Sequence, residues 1–141
     1  MTSVQLDMLD GRRKRRSPSI VPLESQEQEA LVAWARIHQR RHPELALLHA
    51  VLNGGYWLPP ALARAMRRRG LLAGIPDLYL PVARCGQHGL YLELKRRKGG
   101  VVSDAQREIH DSLRGQGYRV VVARGWEEAR DALVEYLGGE Q

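Results

Sequence analysis

The chain has 141 residues, with 22 Lys and Arg against 16 Asp and Glu, a formal net charge of +6 and a pI near 10.0. That length holds one domain with a real core but not two, and the basic balance favours a polyanionic partner, nucleic acid before anionic membrane. The single Cys85 excludes an internal disulfide and a multi-cysteine zinc site, which fits a reducing compartment; no apolar run approaches the ~18 residues of a membrane span, and the charged N-terminus lacks the apolar stretch of a secretory signal.

Residues 1–22 lack periodicity and carry Arg12, Arg13, Lys14, Arg15 and Arg16 in a row. A block of like charge repels itself, so this stretch reads as a disordered basic tail with non-specific DNA affinity, or a nuclear address in a eukaryotic host. The single folded domain is expected over 23–138. Residues 24–39 read as a first helix, with Leu31, Trp34, Ala35 and His38 at helical spacing and acidic residues in the first turns. Glu24 shares a stripe with Gln28, Leu31 and Ala35, and Glu27 an adjoining one with Leu31 and Trp34. Either glutamate would lie beside the buried face, and complementing the helix dipole is the competing role for both.

The apolar run 45–52 reads as a buried strand ending at the turn Asn53-Gly54-Gly55, with His49 in the core or on the sheet face. A basic helix over 60–69 follows, opened by Pro59 and Pro60 and closed by Gly70; Arg64, Arg67, Arg68 and Arg69 make it a candidate DNA-facing element, against the alternative of a solvated face. Two strand-like runs come next, 75–82 and 90–95. Beyond a loop at Lys98-Gly99-Gly100, Ser103 precedes a helix reaching Arg114, with Gln106 placed to complete a capping box. A β-branched strand over 118–123 and an amphipathic helix over 126–137, stopped by Gly138 and Gly139, complete an α/β order with a mixed central sheet flanked by helices.

The chemistry concentrates between Gly74 and Lys98. Leu90, Leu92 and Leu94 alternate with Tyr91, Glu93 and Lys95, so Glu93 and Lys95 share the face opposite the leucines. Asp77 has the opposite parity to Leu78, Leu80 and Val82. If the two runs pair as a hairpin, Asp77, Glu93 and Lys95 converge at one end of the sheet. Two carboxylates suffice to anchor Mg²⁺, which prefers oxygen ligands and keeps several waters, and the Leu94 carbonyl is a candidate third oxygen. Lys95 is then placed to hold or deprotonate the attacking water, or to stabilise charge on a phosphate. An exposed Glu-x-Lys pair with no function is the competing reading.

GIPDLYL, followed by GLYLELKRRKGG and SDAQRE, resembles the virus-type replication-repair nuclease (VRR-NUC) domain, a branch of the PD-(D/E)XK nuclease superfamily with a restriction-endonuclease-like fold. The resemblance spans about 24–137, and its motifs are specific in combination: the glutamate–glutamine helix, Asn-Gly-Gly, Gly-x-Pro-Asp-Leu, Glu-Leu-Lys and Ser-x-x-Gln. It implies a nuclease in which Asp77 and Glu93 bind Mg²⁺ or Mn²⁺ and Lys95 is the catalytic lysine. It also implies a first-helix glutamate, for which Glu24 fits the spacing to Gln28 while Glu27 stays open, and a role at the site or the DNA phosphate for Gln106. With no fused module beside its basic tail, the chain resembles the stand-alone phage or bacterial type. That type implies a structure-specific endonuclease for branched DNA such as four-way junctions or flaps, in replication, repair or recombination, and a homodimer. The expected setting is the cytoplasm of a bacterial or phage-infected cell, at the nucleoid, with no membrane. Arg96, Arg97 and Lys98 join the helix arginines as expected DNA contacts. A general duplex nuclease and a non-catalytic DNA-binding protein of the same fold are the alternatives.

Overall fold

A computed structural model of the protein describes residues 21–53 and 58–138. The basic tail at 1–20 and the Gly54-Gly55 part of the expected turn lie outside them. The described residues form four α-helices and one four-stranded sheet. Helix α1 (Glu24–Ile37) leads through short 3₁₀ turns at His38–Arg40 and Pro43–Leu47 to strand β1 (His49–Ala50). Helix α2 (Pro60–Arg68), strands β2 (Leu78–Leu80) and β3 (Leu90–Lys95), helix α3 (Asp104–Gly115), strand β4 (Arg119–Arg124) and helix α4 (Trp126–Tyr136) follow. The strand order is β1-β2-β3-β4; β1, β2 and β3 run antiparallel in turn, and β3 pairs parallel with β4. The parallel step requires a crossover, and α3 supplies it.

Most elements begin and end within two residues of their expected limits, and two runs differ. The stretch 45–52 is not a buried strand: Pro43 presets a helical turn that runs to Leu47, and only His49 and Ala50 join the sheet, exposed at its edge. Leu45 is nevertheless buried, so the apolar run feeds the core from a 3₁₀ turn. The run 75–82 yields only three ladder residues. Pro76 and Pro81 bracket them, and neither has an N–H to give.

Helices α1 and α4 pack on one face of the sheet. There Leu31 and Ala35 meet Leu78, Leu80, Leu90, Leu92, Leu94, Ala123, Ala129, Leu133 and Tyr136 in the core. The Tyr136 hydroxyl is satisfied by the Val82 carbonyl at 2.5 Å. On the opposite face, the competing reading of Glu93 and Lys95 has them as an exposed pair. They are not: both side chains are buried, at 2% and 6% exposure, beneath the inner side of α3.

Gly74 sets the approach to that side. Its φ is +88°, and an added Cβ would lie 2.7 Å from the Ala105 carbonyl oxygen at the start of α3. Gly74→Ala is expected to cost about 2–4 kcal/mol from left-handed backbone strain plus overpacking. A lowered urea midpoint at constant slope would read this out; an unchanged midpoint would mean the loop moves aside freely.

Candidate active site

Antiparallel pairing of Leu78 with Leu92 places Asp77 beside Glu93. Asp77 is fixed from two sides. Its Oδ1 accepts from Asn53 Nδ2 and its Oδ2 from the Leu94 backbone N–H, both at 2.8 Å. Asn53 Nδ2 also reaches the Ile75 carbonyl, at 3.3 Å, and so ties the end of β1 to the Pro-Asp turn.

Glu93 and Lys95 project from alternate positions of β3 and meet Gln106 on α3. Glu93 Oε1 accepts from Gln106 Nε2 at 2.9 Å and lies 3.2 Å from Lys95 Nζ. Lys95 Nζ donates to Gln106 Oε1 at 3.1 Å. That same oxygen accepts from Ser103 N, while Ser103 Oγ accepts from Gln106 N, completing the expected capping box. One residue thus starts the helix and aligns the acid and the lysine. Sequence spacing brings Gln106 to the first turn of α3, and the close approach at Gly74 seats that turn against the Pro-Asp segment.

Glu93 Oε2 is buried with no hydrogen-bond partner, and His110 Nε2, 3.7 Å away, is in the same condition. Burial first, and the charge of Asp77 second, push the Glu93 carboxyl up to about 7 against the pull of Lys95; Glu24 adds a smaller upward push. His110 is lowered by burial, then by Arg114 and Lys95, which holds its ring neutral. Two close carboxylates, one with an unmet buried oxygen and a reluctance to ionise, form a site that a cation would relieve. The donors are all hard oxygens. Among the described residues no three His, Cys, Asp or Glu side chains gather as a metal cage, and Asp77 and Glu93 are the two carboxylates that could anchor a hard cation here.

The two first-helix glutamates have different surroundings. Glu27 is 1% exposed; its Oε1 accepts from Arg97 Nε at 2.9 Å and its Oε2 from Trp126 N at 2.8 Å, at the start of α4. Glu24 is exposed and close enough to Glu93 for its charge to be felt there. Arg97, expected among the DNA contacts, has its guanidinium engaged by Glu27 and Glu127. Arg64, Arg67 and Arg68 on α2 and Lys98 after β3 are exposed. Arg96 is half-buried, with Nη2 3.4 Å from the Val21 carbonyl.

Two residues escaped the sequence reading as site members. Asn53 was legible only as a turn former, although its place in the Asn-Gly-Gly motif marked it. His110 lies one helical turn after Gln106, and that i, i+4 spacing was the available sign that both face the sheet.

A family model described as the VRR-NUC domain matches residues 23–127. A solved structure described as a VRR_NUC domain protein superimposes with a TM-score of 0.69 at 27% identity, covering 83% of this chain and 90% of that one. Comparison with curated proteins found no match. No helix among the described residues is long and apolar enough to cross a membrane.

Proposed function

The chain belongs to the VRR-NUC domain family and so has a nuclease-type, DNA-processing function, and on that premise we propose that it is a Mg²⁺- or Mn²⁺-dependent endonuclease for branched DNA of the flap or junction type. Asp77, Glu93 and the Leu94 carbonyl would hold the metal. When bound, such an ion neutralises phosphate charge and lowers the pKa of water, which answers the repulsion that makes phosphodiester hydrolysis slow. The observation that carries the reading is the gathering of Asp77, Glu93 and Lys95 on one rim, with Glu93 Oε2 left without a partner.

The chain's own groups divide the remaining work. Asn53 and the Leu94 N–H hold Asp77 in one rotamer, so its carboxylate needs no reorganisation. Gln106 fixes Lys95 Nζ beside Glu93, where the ammonium donates to the attacking water or to a phosphate oxygen. Glu24 is the glutamate assigned to the site from the first helix, and Glu27 is assigned to the fold. Arg64, Arg67, Arg68, Arg96 and Lys98 track the phosphates. A homodimer would provide two active sites related by a two-fold axis, as paired nicks in a junction require. The working location is where the DNA lies, in the cytoplasm at the nucleoid of a bacterial or phage-infected cell. A non-catalytic copy is disfavoured because Asp77, Glu93 and Lys95 are all retained and assembled.

The test is cleavage of labelled single strand, duplex, flap, splayed arm and four-way junction with Mg²⁺, Mn²⁺ or EDTA. Cleavage of branched substrates that vanishes in EDTA is expected. Equal cutting of plain duplex would reduce the proposal to a general nuclease, and cutting in EDTA would end the metal assignment.

A further inference from the structure

The sheet face that carries Glu93 and Lys95 continues beyond α3. One rung along from Asp77 and Glu93, His49 pairs with Tyr79 and Tyr79 with Tyr91 across three strands. Two residues on a strand separate the rungs by about 6.6 Å. The Tyr79 and Tyr91 rings stack with centroids 4.3 Å apart. Tyr118 stands edge-on to Tyr79 and Tyr91, at 6.1 and 5.5 Å, and His88 edge-on to Tyr118 at 5.6 Å. His49 closes the other end, edge-on to Tyr79 at 5.7 Å, its Nδ1 2.9 Å from the Leu47 carbonyl. The tyrosines are half-buried and both imidazoles are exposed.

Two glycines make room for these rings. A Cβ at Gly89 would lie 2.8 Å from Tyr79 Cε2, and one at Gly117 would lie 2.9 Å from His88 Cδ2. Helix α3 packs on β4, whereas β1 and β2 pack chiefly on their neighbouring strands, so among the described residues no helix packs across this part of the face. Burial and the neighbouring Tyr118 and Tyr91 push the Tyr79 phenol up to about 12, leaving it a neutral donor at working pH.

We propose that this aromatic surface, Tyr79, Tyr91 and Tyr118 flanked by His49 and His88, binds unpaired bases of a DNA strand adjacent to the scissile phosphate, which Lys95 would meet in the site beside Asp77 and Glu93. The proposal rests on the nuclease reading and narrows it. Tyr79 and Tyr91 cover one face of each other, so a base would stack on the outer ring surfaces and on the exposed His49 and His88, whereas in a duplex the bases' own faces are already covered by neighbouring base pairs. A row of rings beside the scissile position therefore selects substrates that bring a single-stranded segment to the site, a flap or splayed arm, over a fully paired junction. The overall charge of +6 supplies the complementary attraction for the strand's phosphates.

Binding is measured by fluorescence anisotropy in EDTA, where no cutting interferes, with an oligothymidylate, a flap substrate and a blunt duplex. The proteins are wild type, Tyr91→Leu and the double variant His49→Ala/His88→Ala. Base–aromatic stacking is worth ~1–3 kcal/mol per base, so each variant is expected to bind the oligothymidylate and the flap about 5- to 150-fold more weakly, with duplex binding unchanged. Equal losses on all three probes, or none on any, would overturn the proposal. So would a wild-type dimer that becomes monomeric in Tyr91→Leu, because the face would then be covered by a second copy. Should Tyr91→Leu fail to fold, the exposed histidines carry the test. If the wild type shows ring-dependent binding yet cuts nothing with Mg²⁺, the nuclease reading falls and the base-binding surface stands. If wild type and variants cut flap and duplex alike, the surface falls and the nuclease reading stands.

Discussion

Lys95→Met is expected to lower cleavage of the preferred substrate by about 10²–10⁴-fold while leaving DNA affinity, measured in EDTA, close to wild type. The contrast follows from where the ammonium sits. It is 6% exposed and held between Glu93 Oε1 at 3.2 Å and Gln106 Oε1 at 3.1 Å, so it belongs to the interior of the site and not to the exposed basic surface. Methionine keeps most of the buried stem and removes only the charge and its donors. The fold tolerates this because Glu93, already pushed up to about 7, can take a proton when its cationic neighbour is gone. A parallel loss of affinity and rate would mean that Lys95 binds DNA and does no chemistry. Undiminished cleavage would remove it from the mechanism altogether.

What the sequence made legible depended on how local the controlling physics was. The period-2 alternation from Leu90 to Lys95 gave the strand and the shared parity of Glu93 and Lys95, and Ser103 with Gln106 gave the capping box at the start of α3. Asp77 follows by parity once β2 and β3 pair. The failures are tertiary. Periodicity could not show that α3 lies over Glu93 and Lys95 and buries both, nor that Gln106 turns its amide to join them. The apolar run at 45–52 carried enough hydrophobicity for a strand, yet Pro43 decided the local backbone and left only two residues for the sheet. Glu27, the buried partner of Arg97, is 70 residues distant in the chain, and nothing in the run Lys95-Arg96-Arg97-Lys98 distinguishes an arginine that faces DNA from one that clasps a buried glutamate.

That clasp separates the two first-helix glutamates by the kind of damage their loss would do. Glu24→Ala is expected to reduce cleavage by about 10²-fold or more, on the scale of losing one positioned catalytic group, and to cost stability no more than the ~0.3–1 kcal/mol of a first-turn acid at a helix N-terminus. Glu24 is exposed, and its influence reaches Glu93. Glu27→Ala is expected to do the reverse in kind. It removes the acceptor of the Trp126 N–H, leaving a donor unmet at the start of α4, and it takes from Arg97 the partner that is 1% exposed. Because Arg97 is itself partly solvated and retains Glu127, the cost falls below that of a fully buried pair, at about 2–4 kcal/mol. A chain of this size would show that as a fall in Tm of roughly 6–20 °C. Thermal melts and cleavage at saturating Mg²⁺ on both variants decide the matter. A stable but inactive Glu27→Ala beside an active Glu24→Ala would move the catalytic glutamate to Glu27. The clasp also predicts what Glu27→Gln retains: an amide oxygen still accepts from Trp126 N or Arg97, so this variant should recover part of the lost stability, which a purely electrostatic role for Glu27 would not allow.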